Sequence, residues 1–143
     1  MRYYFDASAL VKRFKPEKGQ ETVRKIIHEA SLGAHEIHSA YWVKAEFYVA
    51  MRRGNVPQEL AARNLRVLRR IILFDPVTSE IVDDALNLIY ELNLHAADAV
   101  HLATCRKLGC EAILTDDEHM VGVSVGKHLG KNAIKLINLK ENP

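Results

Sequence analysis

The sequence predicts an α/β fold in which a parallel sheet of about five strands is covered by helices on both faces. Short apolar segments alternate with longer segments whose apolar residues recur at spacings of three and four, as strands alternate with amphipathic helices. The chain contains no internal repeat, low-complexity tract or linker. We therefore expect its 143 residues to form a single domain, residues 1–143.

The composition is that of a soluble globular protein, with 48% apolar and 27% charged residues. No apolar run approaches the roughly 18 residues that a membrane helix needs, and the N-terminal residues lack a signal-peptide pattern. We therefore expect a cytoplasmic protein. The spacing of Cys105 and Cys110 fits no zinc-ligand pattern, so we expect two reduced thiols in the core.

The two halves of the chain carry opposite charge. Residues 1–72 contain 14 Lys and Arg against 7 Asp and Glu, whereas residues 73–143 contain 6 against 11. An acidic focus beside a basic half suits a site that holds cations and approaches a polyanion, although most such imbalances are only solvated surface.

In the first half of the chain, an aromatic strand stops at Asp6, and Ser8 is the expected N-cap of the helix that follows. Apolar periodicity and glycine or proline breaks define the other elements. The predicted strands are residues 2–5 and 36–38, and the predicted helices are residues 7–11, 20–31, 40–52 and 57–72. The last of these helices is expected to bury Leu60, Leu65, Leu68 and Ile72.

That helix also carries a row of arginines at helical spacing, formed by Arg63, Arg66 and Arg70 with Arg69 alongside. Such a row could follow the phosphates of a nucleic acid. A solvated helix face is the more frequent meaning of this pattern.

In the second half, strands are predicted at residues 73–77, 112–114 and 134–137. Thr78 or Ser79 is expected to cap a helix that reaches Leu92, and a further helix ends near Lys107. Residues 121–132 contain three glycines and are predicted to be a turn region. They are not a phosphate loop, because no Gly-Lys-Ser/Thr follows.

Four acidic positions have related surroundings in this predicted fold. Asp6 follows the first strand, and the position after a later strand is filled by Asp116 or Asp117. Glu46 and Asp98 interrupt the apolar faces of two helices, where a carboxylate costs several kcal/mol unless it is compensated. The carboxyl ends of parallel strands lie at one edge of a sheet, so helices that start there can bring all four positions together. Taken singly, a glutamate at the edge of an apolar stripe or a solvated acidic loop is an ordinary feature.

Several carboxylates at one place would repel each other and raise each other's pKa unless a divalent cation neutralised them. Oxygen ligands without a matching His or Cys set favour Mg²⁺ or Mn²⁺ over zinc. Such a cluster can polarise a phosphodiester and activate water. The sequence therefore indicates metal-dependent phosphodiester chemistry.

In order and spacing the chain resembles the PIN-domain nucleases, in particular the small VapC-type ribonuclease toxins of prokaryotic toxin–antitoxin pairs. The resemblance covers essentially the whole chain. It is carried by YFDASALV at residues 4–11, the mid-helix Glu46, ADAVHLA at residues 97–103 and ILTDD at residues 113–117.

The resemblance implies a three-layer α/β/α domain with a central parallel sheet and a Mg²⁺-dependent endoribonuclease activity, with Mn²⁺ as a possible alternative. The metal-binding catalytic acids would be Asp6, Glu46, Asp98 and Asp117, with Asp116 as a second candidate for the fourth position. Ser8 and Thr115 would orient these carboxylates or a bound water. The implied partners are an RNA substrate, an antitoxin protein and a second copy of the chain in a homodimer.

Three other interpretations stay open. A haloacid-dehalogenase-like phosphatase also combines a strand-end Asp with later acids, but it needs a second acid where this chain has Ser8. A PIN-like module could bind RNA or protein without cleaving, and an RNA-processing nuclease outside a toxin–antitoxin pair would use the same chemistry.

His101 could act as a proton shuttle, but a histidine packed on a helix is more often structural, so we leave it out of the predicted site.

Overall fold

The computed structural model describes the backbone of residues 1–143 and all side chains except that of Val123. Its strands form one parallel sheet in the order β3-β2-β1-β4-β5. The strands are β1 (Arg2–Phe5), β2 (Glu36–Ala40), β3 (Ile72–Asp75), β4 (Ala112–Thr115) and β5 (Lys135–Asn138). The predicted α/β class and parallel sheet are confirmed.

The described residues form seven helices, which cover the sheet on both faces. They are α1 (Ala7–Lys12), α2 (Gln20–Ser31), α3 (Val43–Arg53), α4 (Gln58–Arg69), α5 (Ser79–Leu92), α6 (Ala96–Lys107) and α7 (Val123–Lys131). Successive residues of a strand point to opposite faces, so Phe5 packs with the helices α1 to α4, whereas Tyr4 packs with α5 to α7. The expected three-layer arrangement is therefore confirmed.

The strand order places a switch point at β1. The chain leaves β1 toward β2 on one side, and β4 later pairs with the other side of β1, with Phe5 beside Leu114. Neighbouring connections run in opposite directions from such a point and leave a crevice at the carboxyl ends of the strands. Asp6 and Asp116 follow the two strands that border this crevice.

The predicted first cap was wrong. Asp6, and not Ser8, is the N-cap of α1, because its side chain accepts a hydrogen bond from the amide of Ala9. At α5 the cap is Thr78, whose hydroxyl accepts from the amide of Ile81.

Other bounds also differ from the prediction. The fourth helix ends at Arg69, and Ile72 is buried as the first residue of β3, while Leu60 is 44% exposed. The helix α3 begins at Val43 rather than near residue 40, because the strand β2 extends to Ala40. Apolar residues continue across both junctions, so periodicity alone did not separate helix from strand.

The predicted turn region at residues 121–132 was wrong over most of its length, because α7 lies there. Glycine disfavours a helix by about 1 kcal/mol per residue relative to alanine, which led to the prediction. Val125 and Leu129 lie one turn apart and are buried against Ile134, so tertiary packing outweighs the local preference.

Cys105 and Cys110 are free and buried, as expected. None of the described helices combines the length and hydropathy needed to span a bilayer.

Candidate functional site

The candidate site lies at the carboxyl ends of β1 and β4, at the switch point of the sheet. The turn after β4 supplies Asp116 and Asp117, and Asp6 follows β1 directly. Two helices supply the other predicted acids, Asp98 in the first turn of α6 and Glu46 in the first turn of α3. The four predicted positions thus border one edge of the sheet.

Asp6 is only 5% exposed and is held on both carboxylate oxygens. Its Oδ1 accepts from the hydroxyl of Ser8 at 2.5 Å and from the amide of Ala9 at 3.1 Å, and its Oδ2 accepts from the hydroxyl of Thr115. Burial raises the pKa of Asp6, and the positive charge of His101 and these hydrogen bonds offset only part of that rise. Asp6 is therefore an anion in a position that disfavours its charge.

The two hydroxyls that donate to Asp6 also bind the turn after β4. The amide of Asp116 donates to Oγ of Ser8 at 3.0 Å, and the amide of Asp117 donates to Oγ1 of Thr115 at 3.0 Å. Each hydroxyl therefore donates to Asp6 and accepts from a backbone amide. The position of the turn is tied to Asp6 through both of them.

Asp98 is 7% exposed and shares the electrostatic environment of Asp6. Burial raises its pKa, as do the negative charges of Asp117 and Asp6, while His101 and His119 lower it. The charges of Asp117 and Asp6 therefore act on Asp98 through space, and the nearby histidines compensate this repulsion only in part.

The adjacent acids Asp116 and Asp117 have different partners. Oδ2 of Asp116 lies 2.7 Å from Nζ of Lys12, which also binds Glu17 at 2.9 Å. Oδ1 of Asp117 accepts from the amide of His119 at 2.8 Å, and its charge acts on Asp98. The carboxylate of Asp116 thus forms an ion pair with Lys12, whereas the negative charge of Asp117 raises the pKa of Asp98.

Glu46 lies at the edge of its helix stripe and pairs with His101. Its side chain is 30% exposed, and Oε1 lies 3.0 Å from Nε2 of His101. Nδ1 of the same ring lies 2.7 Å from the hydroxyl of Tyr4, and the indole of Trp42 stacks on it with ring centroids 5.2 Å apart. Burial lowers the pKa of His101, but the bond to Glu46 and the charges of Asp6, Glu46 and Asp98 outweigh burial and raise it.

Sequence reasoning left His101 out and did not single out Lys12. Both could have been noticed from spacing, since His101 stands one turn after Asp98 and Lys12 one turn after Ser8. The structure places both side chains in hydrogen-bond contact with predicted acids.

Among the side chains that the structure describes, no three His, Cys, Asp or Glu groups are arranged closely enough to hold a metal ion. The donor chemistry nevertheless fits a hard divalent cation, because the predicted ligands are all carboxylates. Asp6 and Asp98 are buried with raised pKa values because the positive charge of His101 compensates burial only in part, and a bound cation would add to that compensation.

Comparison with known proteins identifies one family and one fold. The profile of the PIN domain family matches residues 3–125, a range that contains every predicted acid. No curated protein matches the chain at a significant level.

Solved structures with the same fold include toxins and toxin–antitoxin complexes. The chain is similar to VapC20 of Mycobacterium tuberculosis, described as a Sarcin-Ricin loop cleaving toxin, with 14% identity, a TM-score of 0.65 and coverage of 82% of this chain and 92% of that one. It is also similar to VapBC2 of Rickettsia felis bound to a promoter DNA fragment, with 12% identity, a TM-score of 0.70 and coverage of 96% of this chain and 98% of that one. A toxin–antitoxin complex of Klebsiella pneumoniae matches with 17% identity, a TM-score of 0.60 and coverage of 85% of this chain and 92% of that one.

Proposed function

The chain belongs to the PIN domain family, and on this premise we propose that it is a Mg²⁺-dependent endoribonuclease and the toxin of a type II toxin–antitoxin pair. The observation that carries the proposal is the pair of buried carboxylates, Asp6 and Asp98, at the switch point of the sheet. Such groups are costly without a cation, and they stand where ligands of open α/β sheets bind.

Asp6, Glu46, Asp98 and Asp117 would hold the cation. When bound, Mg²⁺ or Mn²⁺ would neutralise these acids, polarise a phosphodiester and favour ionisation of an attacking water. Ser8 and Thr115 hold the Asp6 carboxylate by donating to its two oxygens. His101 orients Glu46, because an ionised carboxylate can only accept the hydrogen bond from Nε2.

An RNA substrate is supported by the basic half of the chain. A cleft of about 460 Å³ between α2 and α4 has no acidic residue in its lining, which consists of Arg13, Arg24, Ile27, His28, Ser31, Val67 and Ile71. Arg63 and Arg66 are exposed on α4 and Arg70 is exposed directly after it, and none of these arginines forms an ion pair with an acid that the structure describes. Unpaired arginines of this kind bind phosphates with release of counterions.

An antitoxin partner is supported by an apolar cleft that reaches the site. Its volume is about 810 Å³, and its lining includes Val11, Phe14, Val49 and Leu60 together with Glu46. An amphipathic segment seated there would lie beside the acids and could block them. The Klebsiella pneumoniae and Rickettsia felis structures contain toxins with their antitoxins, which favours the same role here.

A homodimer is supported by the outer face of α5. Val82, Leu86 and Tyr90 recur at a spacing of four and are exposed, Tyr90 to 94%. Such a stripe is apolar enough to be covered by a second copy of the chain.

The test is cleavage of labelled RNAs by purified protein with Mg²⁺, with Mn²⁺ and with EDTA, beside Asp98→Asn. We expect metal-dependent cleavage that the variant loses. Cleavage that survives both EDTA and the substitution would indicate a contaminating nuclease. If the protein shows no cleavage and calorimetry detects no metal binding, the proposal is contradicted and a binding module is favoured.

A further inference from the structure

Lys12 is a buried cation beside the candidate site. It is 3% exposed although it carries a charge, and its ammonium contacts Asp116 at 2.7 Å and Glu17 at 2.9 Å. A buried ammonium without such partners would cost several kcal/mol. The two carboxylates therefore account for its burial.

The stem of Lys12 is also enclosed. A Cβ added to Gly19, whose φ is +91°, would lie 3.1 Å from Cδ of Lys12 and 2.8 Å from the carbonyl oxygen of Leu139. The backbone at Gly19 thus closes over the lysine. Because its ammonium is covered, Lys12 is not placed to contact the phosphates of a substrate.

The ion pairs of Lys12 join the end of α1 and the connection that follows it to a turn that lies far along the chain. Lys12 is the last residue of α1, Glu17 lies in the connection to α2, and Asp116 belongs to the turn after β4. The same turn binds Asp6 through the hydroxyls of Ser8 and Thr115. The turn is therefore held from two directions, by Lys12 at the Asp116 carboxylate and by the hydroxyls at its amides.

We propose that Lys12 is a positioning residue of the metal site: it neutralises Asp116, keeps that carboxylate out of the site and holds the turn so that Asp117 is the fourth acid. This inference rests on the proposed function. It explains how two adjacent aspartates with the same chemistry take different roles. Without Lys12, the Asp116 carboxylate would add a further negative charge to a group of acids that already repel each other.

Whether removal of Lys12 raises or lowers the affinity for a divalent cation distinguishes a positioning role from the effect of a nearby positive charge. If Lys12 acted only as a nearby positive charge, its removal would tighten the binding of a divalent cation. If it positions the turn, removal weakens binding, and changes in groups that support metal ligands weaken it about 10- to 100-fold. Calorimetry with Mn²⁺ on full-length Lys12→Met should therefore show affinity lowered about tenfold, with partial recovery in Lys12→Arg.

The matched control is Lys15→Met. Lys15 also pairs with Glu17, at 3.3 Å, but it is 64% exposed and has no contact with Asp116. We expect Lys15→Met to bind Mn²⁺ as the wild type does. Mn²⁺ binding by Lys12→Met that is as tight as wild type, or tighter, would overturn the proposal.

A second measurement does not depend on metal. The amides of Asp116 and Asp117 donate to Ser8 and Thr115, and hydrogen exchange in EDTA reports how often these bonds open. We expect Lys12→Met to speed exchange at both amides while leaving core amides such as that of Leu114 protected. Unchanged exchange at the two amides refutes positioning.

If Lys12→Met does not fold, a triple variant replaces it in calorimetry and in hydrogen exchange. This variant removes all three charges of the cluster through Lys12→Met, Glu17→Gln and Asp116→Asn. If the wild type binds no Mn²⁺, the proposed function fails, and exchange at Asp116 and Asp117 then decides by itself whether Lys12 holds the turn.

Discussion

The hydroxyl of Thr115 donates to Oδ2 of Asp6, two residues that are 109 positions apart in sequence. Thr115 is fully buried as the last residue of β4, and Asp6 follows the neighbouring strand β1. This bond joins the two strand ends that border the candidate site. It also leaves the carboxylate dependent on a single hydroxyl at that oxygen.

Thr115→Val tests this bond with a side chain of nearly the same shape. The substitution leaves Oδ2 of Asp6 and the amide of Asp117 without their partner, so we expect a loss of about 1–3 kcal/mol in the free energy of unfolding. Urea denaturation in EDTA measures the loss. Thr115→Ser keeps the hydroxyl and should lose clearly less. Equal losses in the two variants would show that the methyl group, and not the hydrogen bond, matters.

Asp98→Asn should not lower the melting temperature in EDTA. The folded-state pKa of Asp98 is raised, so its ionised form costs stability at neutral pH, and a neutral amide removes that cost. We expect a melting temperature equal to wild type or higher by a few degrees, at about 4 °C per kcal/mol. Added Mg²⁺ should raise the melting temperature of the wild type but not of the variant.

The control for that comparison is Asp83→Asn, which changes an exposed aspartate on α5. It should respond to Mg²⁺ as the wild type does. A marked fall in melting temperature for Asp98→Asn in EDTA would contradict the view of Asp98 as a repelled, metal-seeking carboxylate.

Asp117→Asn and Asp116→Asn should differ in what they lose. We expect Asp117→Asn to lower cleavage about 100-fold or more with little change in stability, because a metal-site carboxylate contributes several kcal/mol of charge stabilisation. Asp116→Asn leaves Lys12 with Glu17 as its one carboxylate partner and should lower the free energy of unfolding by about 1–3 kcal/mol, with a smaller loss of cleavage. Cleavage assays and urea denaturation of both variants measure this difference. The reverse ranking in cleavage would make Asp116 the fourth acid.

His38 should make stability depend on pH at a distance from the site. Burial lowers its pKa, but hydrogen bonds to Asp75 and Glu36 outweigh burial and raise it above the ordinary histidine value. A raised folded-state pKa gives stability that is fully present below the unfolded pKa of about 6.5 and is lost as the pH rises through the folded value. His38→Gln should remove this part of the pH dependence.

The pH dependence is measured by thermal unfolding of wild type and His38→Gln between about pH 5.5 and 9. Their difference in stability should be largest at the acidic end and shrink as the pH rises. His28→Gln, a change at an exposed position of α2, should follow the wild type. A difference that grows with pH would give the opposite sign and refute the interpretation.

Leu86→Glu tests the homodimer. Leu86 is 55% exposed in the middle of the α5 stripe, so a charge there should not disturb the fold but should oppose burial against a second copy. We expect static light scattering to report a dimer for the wild type and a monomer for the variant. Asn87→Glu is the control, since it adds the same charge to an exposed position next to the stripe. A monomeric wild type would remove the basis of the homodimer proposal.

The fold could be predicted from sequence because its signals are local and agree with one another. Strand segments such as Arg2–Phe5 are short and apolar, and the helices between them have periodic apolar faces. The prediction failed at α7. Its glycines indicate a turn, but Val125 and Leu129 are buried against residues of other elements, and this packing stabilises the helix. Propensity describes a segment alone, whereas burial depends on what packs against it.

The candidate acids could be proposed from the sequence because a carboxylate in an apolar pattern is costly and therefore informative. The contacts that organise them could not be found in the same way. The bond from the amide of Asp116 to Ser8, and the ion pair between Lys12 and Asp116, depend on which segments meet at the edge of the sheet. A polar residue on a short helix has too many ordinary explanations for its sequence position to identify its partner.

The position of β1 between β2 and β4 has a consequence for how the protein is made. During synthesis β1 emerges long before β4, so its second edge stays unpaired until most of the chain has left the ribosome. An incomplete chain that ends before Ala112 lacks Thr115, Asp116 and Asp117 together, and Asp6 then has no neighbouring turn to complete a site. The same strand order that brings these acids to one edge of the sheet thus delays assembly of the candidate site until β4 has been synthesised.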